Sequence, residues 1–289
     1  MFINKNPGFF EFLAAYPELH AKETRFYEFF SNSVRSALLD ARPAFEAGEE
    51  VFMSEFGNII LPYETMGAID SLDLFGLDEL IIFAFYFINE KLYSRVADIG
   101  ANIGLHSIIL NKCGYTVESY EPDPSHFQKL ERNVSLNNLG KCTLHQKAVS
   151  DCNGVMQFVR VLGNTTSSHL AGAKPNPYGE LERFDVQTVD IGEMVHRFDL
   201  LKIDAEGHEG TLFKTIKIDA WLSLDAFVEI GSSENARIVY DRFKGTAINM
   251  FSQKLGWKVI KDFKDMPTNY RDGSLFISSK PYMNWGNKI

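Results

Sequence analysis

The stretch Val96-Ala97-Asp98-Ile99-Gly100-Ala101-Asn102-Ile103-Gly104 constrains this chain more than any other. A short apolar run ends in an acid and a glycine-spaced turn. The segment that follows puts Leu105, Ile108 and Ile109 on one face, with Lys112 in its last turn and Gly114 beyond it. This reads as a buried parallel strand, a tight loop and the start of a helix. Such a unit presents backbone N–H groups and a favourable dipole at the carboxyl edge of a sheet, where a small ligand with an anionic end is held.

The glycine spacing bears on which ligand that is. A dinucleotide fingerprint is G-x-G-x-x-G, its middle glycine letting the backbone close on a pyrophosphate. Here Asn102 takes that position and the pattern is D-x-G-x-x-x-G, led by Asp98. A carboxylate at this point suits a cationic group such as the α-ammonium of S-adenosylmethionine, and the helix N–H groups suit its α-carboxylate. Glu121 ends the next strand, about twenty residues on, where an acid accepts hydrogen bonds from ribose hydroxyls. NAD and S-adenosylmethionine share that ribose, so the choice between them rests on the glycines.

Around this unit the chain alternates strands and helices. A helix is expected over 77–89, a second strand over 116–120, and a helix capped by Asp123 with Pro124 at its first position. Phe127, Leu130 and Val134 form that helix's buried stripe before Gly140, and a third strand covers 143–149. A βαβαβ order implies a parallel sheet with right-handed crossovers. Further strands are expected at 154–161, 184–189, 200–204, 226–230, 257–260 and 275–278, with helices at 234–243 and 247–255. The connection 163–179, containing Asn164 to His169, is long and polar, which marks a functional or mobile loop.

Residues 1–74 have another texture, aromatic and helical, and are read as an extension to a domain at 75–289. Asn6 with Pro7 would start a short helix, and Phe26, Phe29, Phe30 and Val34 give a later one an apolar face. Gly57-Asn58 reads as the turn of a small hairpin. The many phenylalanines are expected to pack on the domain, or else to form a homo-oligomer interface or a lid.

A formal net charge of -9 argues against a nucleic-acid partner. Three cysteines, Cys113, Cys142 and Cys152, fit a reducing compartment rather than a disulfide framework. No signal peptide is read, and the most apolar run, 80–88, is about half the length of a bilayer span. A cytoplasmic protein without a membrane span is expected.

In an open parallel sheet the strands direct their carboxyl ends at one crevice, so Asp98, Glu121, Asp204 and Glu229 are expected to line it. VADIGANIGLHS, YEPDP, AVSD, the serine-bearing loop and above all LLKIDAEGHEGTLFK resemble the FkbM-type S-adenosylmethionine-dependent methyltransferases, over roughly 79–278. The resemblance implies an α/β, Rossmann-like methyltransferase fold whose mostly parallel sheet has seven strands, the last antiparallel. It also implies O-methylation of a hydroxyl on a small metabolite such as a sugar or polyketide. The residues assigned to the cofactor are Asp98, Gly100, Asn102, Gly104, Glu121, Pro122, Asp151 and Asp204.

For the chemistry, Asp204 is the first candidate base, because the fourth parallel strand ends beside the methyl group. His208, one turn on, titrates nearest neutrality; the family commonly has a small or apolar residue there, so its role is not drawn from the resemblance. Glu229 completes the catalytic set. Glu206 and Glu229 either bind the acceptor or, with Asp204, hold Mg²⁺ through oxygen ligands. His169 on the polar loop is read as a lid residue or an exposed surface histidine. Two rivals are a nicotinamide-dependent oxidoreductase, disfavoured by the missing glycine, and a cofactor-binding module that regulates a partner without catalysis.

Overall fold

The computed structural model describes residues 8–53, 55–174 and 179–286. The Asn6–Pro7 helix start falls outside them. Helices α1 (Phe9–Ala15) and α2 (Arg25–Glu46) are followed by a hairpin of β1 (Val51–Met53) and β2 (Gly57–Ile59), then α3 (Leu77–Ile88). Gly57 and Asn58 lie inside β2 rather than at the turn. The chain continues through β3 (Arg95–Ile99), α4 (Leu105–Lys112), β4 (Thr116–Tyr120), α5 (Pro124–Leu136) and β5 (Cys142–His145). Four strands follow, β6 (Ala148–Ser150), β7 (Gly154–Val161), β8 (His169–Leu170) and β9 (Leu181–Asp190), with α6 (Ile191–Met194) after them. Last come β10 (Leu200–Ile203), α7 (Glu209–Thr215), β11 (Asp225–Val228), α8 (Ser233–Phe243), β12 (Asn249–Ser252), β13 (Lys258–Val259) and β14 (Leu275–Ser278).

The main sheet has the order β13-β12-β14-β11-β10-β3-β4-β5 among the described residues. The five strands from β11 to β5 are parallel, and β14 runs antiparallel to β11. Eight strands thus replace the expected seven, because the two-residue β13 turns back antiparallel along β12. The expected helix at 247–255 is strand β12, paired on both sides, followed by a single 3-10 turn. Its apolar residues Met250 and Phe251 point to opposite core clusters, as period-two alternation requires. The expected third strand is broken: Lys147 N–H donates to the His145 carbonyl, and the pieces join different sheets. β6 belongs to a second sheet of order β6-β9-β7-β8.

Alternation sorts the main sheet into two faces. Val96, Leu200 and Phe227 face a cluster that includes α1 to α4, whereas Ala97, Leu201, Ala226 and Val228 face the other helices. Residues from Phe9 to Leu72 share the first cluster with the sheet strands. In α2 the inward stripe is Phe30, Val34, Leu38 and Phe45, while Phe29 is 66% exposed, one residue off the stripe. No helix among the described residues is long and apolar enough to cross a membrane.

Strand order reverses at β3 and β10, the switch point at whose carboxyl ends an open sheet leaves a crevice. Here the two loops come very close. Gly100 has φ +76°, and a Cβ on it would lie 1.9 Å from the Asp204 carbonyl oxygen. Only glycine fits such a position.

His20 fastens the N-terminal segment to the far end of the sheet. Trp257 Nε1–H donates to His20 Nδ1 at 2.8 Å, and His20 Nε2–H donates to the Leu13 carbonyl at 3.0 Å. Since indole only donates and a carbonyl only accepts, these contacts fix a neutral ring. Burial lowers the His20 pKa to about 4, and burial does the same to His126, whose Nε2 lies 2.8 Å from Thr165 Oγ1. Each histidine binds its proton more weakly folded than unfolded. Their stabilisation is therefore fully present above the unfolded value of 6.5 and is lost as pH falls towards 4. The loss is on the order of 3 kcal/mol per histidine. Urea unfolding at successive pH values checks this. His20→Gln keeps both hydrogen bonds and removes the ionisation, so it is expected to lose less stability on acidification than the native chain; an equal loss would contradict the assignment.

Candidate active site

The loop after β3 is shaped before any ligand enters. Asn102 has φ +51°, a left-handed conformation that asparagine tolerates better than most residues, so it takes the position of a glycine without being one. Its N–H donates to Glu121 Oε2 at 2.8 Å, and Asp123 N–H donates to Glu121 Oε1 at 2.8 Å. Glu121 therefore ties the end of β4 to this loop, and each of its oxygens keeps a further lone pair. Burial pushes its carboxyl up to about 8, against the pull of the two backbone N–H groups. The charges of Asp123 and Asp204 push the same way as burial.

Pro122 leads into Asp123, which caps α5 by accepting from Ser125 N–H at 2.8 Å. Asp123 also takes a two-pronged contact from Arg160 of β7, Nε to Oδ2 at 2.7 Å and Nη2 to Oδ1 at 2.6 Å. This paired geometry fastens the second sheet to the main one.

Asp98 and Lys202 are Cα partners on adjacent parallel strands and lie on the same face. Asp98 is fully buried; its Oδ2 accepts from Ser107 Oγ at 2.6 Å and its Oδ1 has no partner. Asn102 Oδ1 is likewise buried and unpartnered. Lys202 Nζ donates to Asp204 Oδ2 at 3.4 Å. Burial works to deprotonate Lys202, but Asp204, Asp98, Glu79 and Glu229 outweigh it and raise its pKa. Glu229 is pushed well above the usual carboxylate range, first by burial and then by Asp204, Glu79 and Glu206. These mutual influences place Asp98, Asp204, Glu206 and Glu229 around one crevice, as strand-end acids in an open sheet should be.

Glu79, from the first turn of α3, belongs to the same group and was missed by sequence reasoning. An acid there reads as a partner of the helix dipole, so it carries no separate signal. His106 of α4 donates from Nε2 to Glu79 Oε2 at 2.7 Å, with its Nδ1 3.2 Å from the Tyr86 hydroxyl. Lys202 was also missed, although a charge inside the buried run Leu200-Leu201-Lys202-Ile203 is a legible anomaly.

Glu206 has φ +49°, and its Oε2 lies 2.5 Å from Lys174 Nζ. Burial and the charge of Asp204 push it up to about 7 against the pull of Lys174. Next to it, a Cβ on Gly207 would lie 2.8 Å from the Ala173 carbonyl oxygen, so the chain after β8 rests on this loop. Glu209, buried at the start of α7, accepts from Gly207 N–H at 2.9 Å and Asn235 Nδ2 at 2.7 Å.

The Mg²⁺ reading of Asp204, Glu206 and Glu229 gains no support. Among the described residues no three such side chains are grouped as metal ligands, and ammonium groups face two of these carboxylates: Lys202 at Asp204 and Lys174 at Glu206.

Two histidines sit elsewhere than expected. His208 Nε2 lies 2.9 Å from Ser150 Oγ at the end of β6. Burial lowers its pKa and Asp151 acts against that, so the imidazole belongs with Ser150 and Asp151. His169 is neither a lid side chain nor exposed. It is 2% exposed in β8, with Nδ1–H donating to the Ser167 carbonyl at 2.9 Å, and burial lowers its pKa.

Comparison with known proteins bears on this arrangement. The family model described as the methyltransferase FkbM domain matches residues 98–258. A curated relative, Methyltransferase 1 of Beauveria bassiana (strain ARSEF 2860), is 27% identical over 158 residues, covering 47% of this chain. The match spans 63% of that relative, less than two thirds of its length. Among solved structures, a SAM-dependent methyltransferase from Agrobacterium tumefaciens is similar at 9% identity and a TM-score of 0.36, over 71% of this chain and 62% of that one. A ribosomal protein L11 methylase from Lactobacillus delbrueckii subsp. bulgaricus is similar at 13% identity and a TM-score of 0.36, over 68% and 76%. With more than half of its residues matched by the family model, the chain belongs to the FkbM methyltransferase domain family.

Proposed function

We propose that this protein is an S-adenosylmethionine-dependent methyltransferase that methylates a hydroxyl oxygen of a small metabolite. The observation that carries the reading is the pair of unpartnered buried oxygens, Asp98 Oδ1 and Asn102 Oδ1, beside a glycine that holds two strand-end loops together. Buried acceptors without donors are costly unless a ligand completes them. The donor that fits is the α-ammonium of a methionine. Glu121, with spare lone pairs at the end of β4, suits ribose hydroxyls, and Pro122, Gly104 and Asp151 are assigned to the same cofactor.

When bound, S-adenosylmethionine supplies an activated methyl group with a neutral thioether as leaving group. The chain's task is then alignment and proton removal. Holding the acceptor oxygen in line with the methyl contributes on the order of 7–11 kcal/mol in well-oriented systems. Asp204, at the carboxyl end of β10 and facing Lys202, is the base we assign to the hydroxyl proton. Such a base contributes about 10²–10⁴-fold. Glu229, whose carboxyl is pushed upward first by burial and then by Asp204, belongs to the same crevice and is assigned to the acceptor. His208, turned towards Ser150 and Asp151, supports the cofactor side instead of abstracting the proton. The contact of Gly207 with Ala173, together with the Lys174–Glu206 pair, covers the loop and limits water.

Calorimetry with S-adenosylmethionine tests the cofactor. Asp98→Ala and Glu121→Ala should each weaken binding by about tenfold or more, one charge-assisted hydrogen bond being worth that much. Unchanged affinity in both would sink the assignment. Asp204→Asn should bind the cofactor like the native chain while methyl transfer to a hydroxyl acceptor falls by about 10²–10⁴-fold. Full turnover in that variant would remove Asp204 from the role.

A further inference from the structure

Lys202 is a cation on a strand whose neighbours Leu200, Leu201 and Ile203 are fully buried. Taking an ammonium out of water is unfavourable unless anions surround it. Here Asp98 on β3, Asp204 beyond β10 and Glu79 on α3 act on it, the last hydrogen-bonded to His106 of α4. With its pKa raised above the ordinary lysine value, the side chain stays charged. An ammonium carries three N–H donors. Among the described residues Lys202 uses one, on the long 3.4 Å contact to Asp204.

The neighbouring strand offers the complement. Asp98, the register partner of Lys202, has an acceptor oxygen with no donor, as has Asn102. One short stretch of the sheet edge therefore combines unused acceptors with unused donors on a fixed cation. A ligand end bearing an ammonium and a carboxylate on the same carbon satisfies both. The carboxylate needs such a partner, because Asp98, Asp204 and Glu79 would otherwise meet it as like charges. The start of α4 alone offers the equivalent of about half a positive charge, less than a full ammonium.

We propose that Lys202 binds the α-carboxylate of the methyl donor's methionine end while Asp98 and Asn102 take its ammonium. This assignment rests on the cofactor reading above and names a binding residue for it.

Calorimetry on the full chain compares S-adenosylmethionine with decarboxylated S-adenosylmethionine, which keeps the nucleoside, sulfonium and amine. The native protein is expected to prefer the intact ligand by about ten- to a hundredfold, the range of a charge-assisted hydrogen bond. Lys202→Met should shrink that preference to about threefold or less, and Lys202→Arg should keep most of it. Asp98→Asn should weaken both ligands alike. The preference is a ratio within each variant, so affinity lost through loosened packing cancels. Should Lys202→Met fail to fold by circular dichroism, Lys202→Gln carries the same expectation. A preference unchanged in the methionine or glutamine variant, or absent from the native protein, overturns the assignment and returns the carboxylate to α4. A native protein that binds neither ligand overturns it together with the cofactor reading.

Discussion

The close approach of Gly100 to the Asp204 carbonyl oxygen governs the carboxyl edge of the sheet. Two loops that meet where a Cβ would intrude to 1.9 Å have no room to drift apart or change register independently. Asp98, two residues before Gly100, and Lys202, two before Asp204, are brought into register by the same contact. The loop is then locked from the other side, where Glu121 accepts the N–H of Asn102 in its left-handed conformation. A substitution at Gly100 would therefore act on the Asp98–Lys202 pairing and on the Glu121 anchor together, though neither side chain touches the glycine's missing Cβ.

That geometry creates an electrostatic problem which the crevice answers with two lysines. Carboxylates from β3, β10, β11 and α3 are gathered where burial penalises charge, so some are driven towards the neutral form, Glu229 most plainly. Lys202 and Lys174 pair with Asp204 and Glu206, one from within the sheet and one from the chain after β8. A single crevice can offer both hydrogen-bond donors and acceptors although its conspicuous residues are all acidic.

The parts legible in the sequence were those with a local cause. The strand, loop and helix of residues 95–112, the Asp123 cap and the short runs of β3, β4, β7 and β10, bounded by turn residues, follow from short-range chemistry, and they appear where expected. The failures share a different cause. Strand β12 was mistaken for a helix because a short apolar run buried on both faces has no readable period, and only its pairing with β13 and β14 decides. The segment 142–150 reads as one strand until a tight turn at Lys147 divides it between two sheets. Acids at strand ends were found because topology sends them to one crevice. Glu79 arrives from a helix, where sequence offers no such rule, and His208 was drawn to the catalytic set by nearness in the chain that folding turned towards Ser150.

The helical extension bears on the crevice through Asp78. Tyr27 Oη–H donates to Asp78 Oδ1 at 2.6 Å, Gln253 Nε2 donates to the same oxygen at 2.6 Å, and Lys22 Nζ lies 2.7 Å from Oδ2. Two separate segments, residues 22–27 and the turn at Gln253, thereby hold the first turn of α3, and the next residue is Glu79. Further along the helix, Phe83 meets the His106 ring edge-on at 5.1 Å, while Phe75, Phe83 and Phe85 are fully buried in the cluster that covers the Asp98–Lys202 face. An aromatic layer of this kind excludes water from one side of these groups, which strengthens charge interactions there and penalises any carboxylate left without a cation. The phenylalanines in this layer thus add to the burial that surrounds Asp98 and Lys202, and the extension supports the crevice from that side.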